Sequence, residues 1–578
     1  MGHGALMTPR HGRLTGSAAI LWCVLAASAA GASDAQHPQV SGTLYVLPRH
    51  PVYAYLERMS AKGLLPHAPL STRPWTRTQL ADALIEISPE DACLTDVDRA
   101  DWRFYAGEFA DEILALGADS LLERCAPAWW SRAAGDRSVW KQPLSTYRKD
   151  DAEVRLWVAG GLTAQHDTSA NYRRHAEIGG WARLGEHWGA QAAMRDVAVW
   201  GPDVTPPPAF DPTPGVAHID GDTSASFYYD DTEALVTYGS RFFTASVGVY
   251  PLLFGPGTHA QVILSDKAPP LPQVRLTVCP WPWLSFTYVH MTLQSGVPDS
   301  ESFWHRYDPE NTGYAKKYYV AHRLELTALR GIDLALGESV VYGGRGPELR
   351  YLIPIIPFRA AQHAEGDLDN LQMWADIAAT RLPWTRLYGA LLIDELSLNA
   401  LLKEDMSHNW WAWQVGAQVA DLWGFVPDVD LCLEYTRAHP WVYHHEYPWN
   451  TYDTWALKGN EAVVGYPLGF WQGHNGDFLR GDLIWQPRRG LRFGVWASQA
   501  RRGGEGTVEE QYNPPAESFL FGPVTRTREI GVEASWELRR DLVVRAMLGH
   551  STRKRTSDAE SSRRSWTTAS FGVTYNVW

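Results

Sequence analysis

The chain ends FGVTYNVW, Phe571 to Trp578, and this stretch decides the fold class. Phe571, Val573, Tyr575 and Val577 alternate with Gly572, Thr574 and Asn576, and an aromatic closes the run, although Trp578 stands one step out of the odd-numbered register. A terminal strand with one continuous apolar face fits a membrane β-barrel. Each barrel strand shows lipid to one side and the lumen to the other, and closure leaves no edge unpaired.

The beginning of the chain gives the same address. Arg10 and Arg13 precede an apolar run from Ser17 to Ala27, and Ala30, Gly31 and Ala32 supply the small residues of a secretory cleavage site. Residues 1–32 are therefore read as a signal peptide, cut near Ala32. Cys23 follows Trp22 inside the run, a poor lipoprotein context. No later stretch reaches about 18 consecutive apolar residues, which excludes a helical membrane protein. The expected location is the outer membrane of a Gram-negative bacterium.

Composition narrows the function classes. A formal charge of −13 argues against nucleic acid, whose phosphates want a basic face. With 28 Trp and 25 Tyr the chain is rich in residues that serve membrane girdles and sugar platforms alike. Four cysteines remain after signal removal, with no zinc spacing among them. Cys93 and Cys125 flank a helical segment and are either a disulfide or two buried thiols; Cys279 and Cys432 fall in strands as packing residues.

Residues 33–150 read as a periplasmic helical domain. Pro51 starts a helix with Val52, Tyr55, Leu56 and Met59 on one face, ended by Gly63. Thr76 and Gln79 form a capping-box pattern ahead of Leu80, Leu84 and Ile87. A third helix is expected from Asp96 to Leu116, with Trp102, Tyr105, Phe109 and Ile113 on one stripe.

Across residues 151–578 the period becomes two. Ile530, Val532, Ala534, Trp536 and Leu538 alternate with Gly531, Glu533, Ser535 and Glu537, and Leu491 to Ser498 and Val429 to Tyr435 follow the same rule. Periodicity alone does not separate a soluble sandwich from a membrane barrel, but loop lengths do. Short connections at 185–187, 238–241, 279–282, 330–333, 381–385, 486–490 and 539–541, and a slightly longer one at 421–428, contrast with long ones at 201–225, 295–316, 343–367, 439–460 and 501–523. Tight turns at one end and long loops at the other predict a closed antiparallel barrel of about eighteen strands.

The segment FGPGTHAQVILSDKAPPLP, Phe254 to Pro272, resembles the Gly-Pro-Gly, Ser and Ala-Pro-Pro pattern of the capsule assembly Wzi family, on Gly255, Pro256, Gly257 and Ser265. Further matches follow in order along the chain. They are PVYAYLERMSAKGLLP from Pro51 with STRPWTRTQLADAL from Ser71; AHRLEL from Ala321, carrying His322 and Arg323, with GESVVYG from Gly337, carrying Glu338; the pair Asp369 and Asn370; and EYTRAHPWVYHHEYPW from Glu434 and Tyr435. The resemblance implies an outer-membrane barrel with a periplasmic helical bundle, acting as a lectin-like attachment protein for capsular polysaccharide.

The residues give the motif positions a structural reading. Gly and Pro at 255–257 chiefly fix backbone geometry, and His322, Arg323, Glu325 and Glu338 read as a charged ladder inside the lumen. The candidate ligand residues lie on external loops: Trp441, Tyr443, His444, His445 and Trp449, with Trp304, His305, Trp410 and Trp411 as neighbours. Sugar rings stack on aromatic planes while their hydroxyls need hydrogen-bonding side chains, and these segments supply both. The competing role for the aromatics is an outer-leaflet girdle. His444, His445 and Glu446 lack metal-ligand spacing, and no metal or cofactor is expected. No Gly-x-Ser-x-Gly, HExxH or Walker pattern occurs, and Asp394 and Glu395 point to opposite faces of a strand, so no catalytic residue is assigned.

The expected function is binding of capsular or other surface polysaccharide, with outer-membrane lipid and the polysaccharide export machinery as further partners. A porin-like or oligosaccharide-transporting channel is the alternative, and a barrel-borne hydrolase a third reading.

Overall fold

The computed structural model describes residues 42–125, 143–202, 204–223, 225–302, 313–366, 368–395, 410–506, 518–557 and 561–576. Eighteen antiparallel strands close into a barrel. They are β1 Ala152–His166, β2 Ala170–Leu184, β3 Trp188–Trp200, β4 Ser226–Gly239, β5 Phe243–Tyr250 and β6 Leu271–Trp281. Next come β7 Leu284–Pro298, β8 Tyr314–Leu329, β9 Ile332–Gly343, β10 Asn370–Ala379, β11 Thr385–Glu395 and β12 Trp410–Val419. The circuit ends with β13 Val429–Ala438, β14 Gly476–Arg488, β15 Leu491–Arg502, β16 Val524–Arg539, β17 Leu542–Thr556 and β18 Ser561–Tyr575.

Closure runs from β18 to β1, with Ala569 opposite His166 and Tyr575 opposite Gly160. The other half of that edge of β1 is taken by Pro143–Lys149, which pairs Lys149 with Ala152. The sheet thus begins before residue 150, inside the segment read as helical domain. Trp578 lies outside the described residues.

Burial along the strands identifies the solvent. On β16, Ile530 is 57% exposed and Val532 48%, whereas on the inner face Arg323 and Glu434 are both 0% exposed. Water would reverse that preference, because each fully exposed large apolar side chain forgoes roughly 1.5–3 kcal/mol of burial. A hydrocarbon solvent outside the wall removes the conflict. Exposed Trp188, Trp281, Trp485 and Trp536 ring the short-turn end, where a girdle meets the membrane interface. Among the described residues no helix is long and apolar enough to cross a membrane.

Among the described residues five helices precede the wall: α1 Val52–Ala61, α2 Arg77–Glu86, α3 Asp96–Glu108, α4 Ala110–Ala115 and α5 Asp119–Cys125. The Thr76–Gln79 capping box forms in full, and the stripe expected from Asp96 to Leu116 breaks at Phe109, which leaves the helical region at φ −105°. Phe109 remains fully buried with Trp102 and Ile113, so the break bends the stripe around the core instead of wasting it. Cys93 is exposed and free; the Cys125 side chain lies outside the described residues.

The helices close the short-turn mouth. Arg58 of α1 reaches Asp98 of α3 at 2.8 Å, Asp421 of the β12–β13 turn at 2.6 Å and, in a short contact, Asp430. Lys62, with no side-chain exposure, bridges Asp98 at 2.5 Å and Asp421 at 2.6 Å. Farther round, Gln486 donates to Asp101 at 2.8 Å and Gly331 N donates to Pro66 O at 2.9 Å.

Removing the cations from a buried pair strands its carboxylates at about 3–5 kcal/mol. Replacing Arg58 and Lys62 together by Ala should therefore undock the helices. Trypsin should then cut within residues 42–125 under conditions that leave the wild type intact, while heat-modifiable gel migration of the barrel is unchanged.

Candidate functional site

Two long connections do not stay outside the wall; they fold into the lumen. The segment 251–270, between β5 and β6, carries the Gly-Pro-Gly turn. Gly255 has φ +131° and a Cβ there would meet Gln261 Oε1 at 2.2 Å, while at Gly257 it would meet Ala260 O at 2.1 Å, so only glycine fits this turn. Leu253 and Phe254 pair with Thr72 and Arg73 of the helical domain, and Gly255 N donates to Ser71 O at 2.8 Å.

The far side of the turn is held by one carboxylate. Thr258 N, His259 N and Ala260 N donate to Glu434 at 2.6, 3.1 and 2.9 Å, and Tyr388 Oη adds a fourth bond at 2.7 Å. Successive N–H groups of a tight turn form an anion-binding concavity, and β13 fills it with its own side chain. His259 Nε2 also meets Asp482 at 2.7 Å. Between this loop, the helical domain and the β13–β17 wall lies a cavity of about 670 Å³ lined by Arg58, His259, Asp482, Arg489 and Arg545.

The second inserted segment, 439–475, crosses the long-loop mouth from β13 to the opposite wall. Trp441 and Tyr443, expected to face water, are buried at 3% and 5% exposure. Trp441 stacks on Phe521 at 5.2 Å, and Tyr443 stacks on Tyr452 at 5.2 Å while its hydroxyl donates to Val262 O at 2.7 Å. Both adopt positive φ, +71° and +73°, which turns their rings inward around the fully buried Val442. They are core residues, because the Tyr443 hydroxyl finds a backbone partner in the other inserted segment and both planes find other rings. Ser265 Oγ donates to Gly469 O at 2.6 Å, tying the same two segments together.

The remaining candidates separate by face. Trp410 is buried on the inner side, whereas Trp411 points outward beside Trp413 and Tyr435, a placement that belongs to a girdle. Tyr435 Oη donates to Asp477 at 2.9 Å. Trp304 and His305 lie outside the described residues. His445 and Trp449 stay half-buried at the mouth, where Trp449 stacks on Tyr447 at 5.6 Å and lies against Gly343 and Gly344. Tyr447 was not among the expected ligand residues. Its alternation with His445 and Trp449 in HHEYPW was the available signal.

The motif positions fasten loops to the wall, some inside and some outside. Arg323 faces inward, gripping Asp376 at 2.5 and 3.1 Å and Glu325 at 3.2 Å. His322 and Glu338, expected beside it in the lumen, face outward because adjacent strand residues alternate. Glu338 accepts from His322 and from Phe358 N, both at 2.8 Å, and so pins a flap, residues 344–369, against the outer wall. Asp369 closes the base of that flap with Arg345 at 2.6 Å and Tyr351 at 2.8 Å. Asn370, inward, donates to Asn450 O at 2.9 Å and anchors the crossing segment. Asp394 accepts from Tyr443 N at 2.7 Å and Gln372 at 3.1 Å, an internal brace.

His444 and His474 in the crossing segment have no room for charge. The rings of His444 and His474 sit 4.1 Å apart, and burial pushes His444 down to about 4 and His474 well below the usual imidazole range, helped by the neighbouring ring and Arg502. Their depressed pKa values mean that the released segment binds protons before the packed one does. Plug stability is then complete above about pH 6.5 and declines as pH falls toward 4. Protease access to residues 439–475 should rise between pH 6.5 and 4.5 and be blunted by His474→Gln.

Glu434→Ala should cost about 3 kcal/mol or more, since each buried donor left unpaired costs about 1–3 kcal/mol, and should lower the thermal midpoint without opening the wall. Glu434→Gln keeps an acceptor and should lose less.

Among the described residues no cluster of three His, Cys, Asp or Glu side chains could hold a metal ion. A search of curated sequences found no match. Among solved structures, the chain is similar to Wzi of Escherichia coli, titled an outer-membrane protein involved in group 1 capsule assembly and a carbohydrate-binding β-barrel. The match has 14% identity, a TM-score of 0.53, and covers 92% of this chain and 99% of that one. OprD of Pseudomonas aeruginosa aligns at 11% identity and TM-score 0.39, over 75% of this chain and 97% of that one. The family model for the capsule assembly protein Wzi matches residues 147–566. The chain therefore belongs to the capsule assembly Wzi family.

Proposed function

We propose that this protein is exported by cleavage near Ala32, resides in the outer membrane and binds capsular or related surface polysaccharide at its long-loop mouth. The observation that carries this reading is the inserted pair of segments, 251–270 and 439–475, which occupy the lumen that a porin leaves to solvent. Family membership and the carbohydrate-binding title of the Escherichia coli relative support the same assignment. The protein works as a binder and not as an enzyme in this reading, and contact with the polysaccharide export machinery would occur from the periplasmic side.

The sugar platform is Tyr447 and Trp449, with His445 beside them and Glu446 exposed between. Trp449 rests against Gly343 and Gly344 and Tyr447 stacks on Trp449, so a pyranose meets a surface already ordered. Trp441 and Tyr443 act one layer beneath, by holding the segment that carries the platform.

Two outcomes separate platform from support. Tyr447→Ala with Trp449→Ala should weaken retention of surface polysaccharide about tenfold, from roughly 0.5–1.5 kcal/mol per aromatic contact, with unchanged thermal stability. Trp441→Ala should lower stability by about 3–5 kcal/mol through the cavity it leaves. Unaltered polysaccharide binding in a folded Tyr447/Trp449 double variant would reject the platform.

A further inference from the structure

The long-loop ends of β15 to β18 carry an arrangement that neither sheet packing nor the polysaccharide platform uses. Arg501 pairs directly with Arg526, Arg526 with Lys554, and Lys554 with Arg563, giving four cations side by side across four neighbouring strands. One step lower on the same face, Arg528 sits opposite Thr552 and Gln499. Like charges placed directly opposite destabilise a sheet, so three such pairs in succession require a counter-charge.

The face is fixed by register. Pairing between β15 and β16 runs without a bulge from Leu491–Trp536 to Arg502–Thr525, and between β17 and β18 from Leu542–Tyr575 to Thr556–Ser561. Residues two apart share a face, so Arg526 and Arg528 stand in one column with the exposed Ile530 and Val532, Lys554 with Leu548, and Arg563 with Phe571. On the opposite face Glu529 accepts from Ser551 at 3.0 Å and points inward. The row is therefore on the lipid side of the wall.

The described residues supply little neutralisation there. Among the described residues Asp477 is the one carboxylate in the row, and Arg501 at 2.9 Å and Tyr435 already occupy it. Arg526, Lys554 and Arg563 are exposed, with no acidic partner among the described residues. Height matters too. With about 3.3 Å per residue along a strand tilted about 40°, each residue climbs about 2.5 Å. Arg528 then lies about 5 Å and Arg526 about 10 Å above Ile530, and Lys554 and Arg563 stand farther above their own apolar columns.

We infer that the outward face of β15 to β18 binds a phosphorylated glycolipid of the outer leaflet. Its acyl chains lie along Ile530, Val532, Leu548 and Phe571, and its sugar-borne phosphates rise past Arg528 to the row of Arg501, Arg526, Lys554 and Arg563. Arginine suits phosphate because its planar fork donates two parallel bonds to one group. The continuity of cations with a lipid-facing apolar surface selects a lipid over a soluble acidic polymer, which would have no use for the columns below. This site goes beyond polysaccharide capture at the mouth and lies on a different face of the barrel.

The test uses the full-length protein and vesicles containing lipopolysaccharide, either intact or enzymatically dephosphorylated. The wild type should prefer the phosphorylated vesicles at least about tenfold, with affinity falling as salt rises. Replacing Arg526, Lys554 and Arg563 together by Gln should abolish the preference, while Arg526→Lys with Arg563→Lys should retain most of it. Heat-modifiable migration checks folding; if the triple variant does not fold, Lys554→Gln alone should reduce the preference and flatten the salt dependence. A wild type indifferent to dephosphorylation, or a folded triple variant that keeps the preference, overturns the site. So does a triple variant that loses binding to a polyuronate while keeping its preference for phosphorylated vesicles, because the row would then serve an acidic polymer.

Discussion

An eighteen-strand wall is too wide to fill with its own side chains, and that constraint organises the rest of the molecule. Barrels of about eight strands pack their interior with inward residues, whereas those of about sixteen to eighteen leave an aqueous channel. Here the inward residues are charged or amide-bearing: Arg323, Arg386, Gln372, Gln414 and Glu434 are all buried. Each needs a partner that the opposite wall is too far away to offer. Neighbouring strands answer Arg323 and Gln372 through Asp376 and Asp394, while Arg386, Gln414 and Glu434 find their partners in segment 251–270, which folds into the lumen and makes the polar inner face of the strands a set of docking points.

Glu434 shows how such a docking point works. A buried carboxylate left alone costs several kcal/mol, and so does a loop of unpaired N–H groups. Three backbone donors and Tyr388 cancel both costs in one contact, at distances of 2.6 to 3.1 Å. The Gly255 and Gly257 turn matters because only that backbone path presents three N–H groups to one carboxylate. Asn370 with Asn450 repeats the principle at another height.

The wall was legible because two-residue alternation and the contrast of short and long connections are local signals. So was the first turn of α2, where a capping box needs only four residues. The fate of the long loops was not legible. HPWVYHHEYPW reads as aromatic whether its rings face sugar or core, and the difference between Trp441 and Trp449 lies in long-range partners, Phe521 and Val262 for the buried end and Gly343 and Gly344 for the open one. Read as a charged ladder, His322 and Glu338 fall in the lumen with Arg323 and Glu325, although strand alternation puts His322 and Arg323 on opposite faces. The flap that covers the outer pair came from 344–369, a loop whose sequence gives no sign of folding back on the wall.

A filled lumen also bears on affinity. A loop free to move would lose conformational entropy on meeting a sugar, at roughly 0.5–1.5 kcal/mol for each side chain immobilised. Segment 439–475 has already lost that freedom. Tyr443 and Tyr452 hold it to 251–270 from below, Asn370 and Lys317 hold it to the wall at the side, and the positive φ of Trp441 and Tyr443 is tolerated because this packing leaves no alternative. Under the proposed function, the segments that fill the lumen are the same structure that would present Tyr447 and Trp449 as a preformed surface. In that reading, filling the lumen and stiffening the platform are one physical device, since each contact that packs the lumen also fixes the segment spanning its mouth.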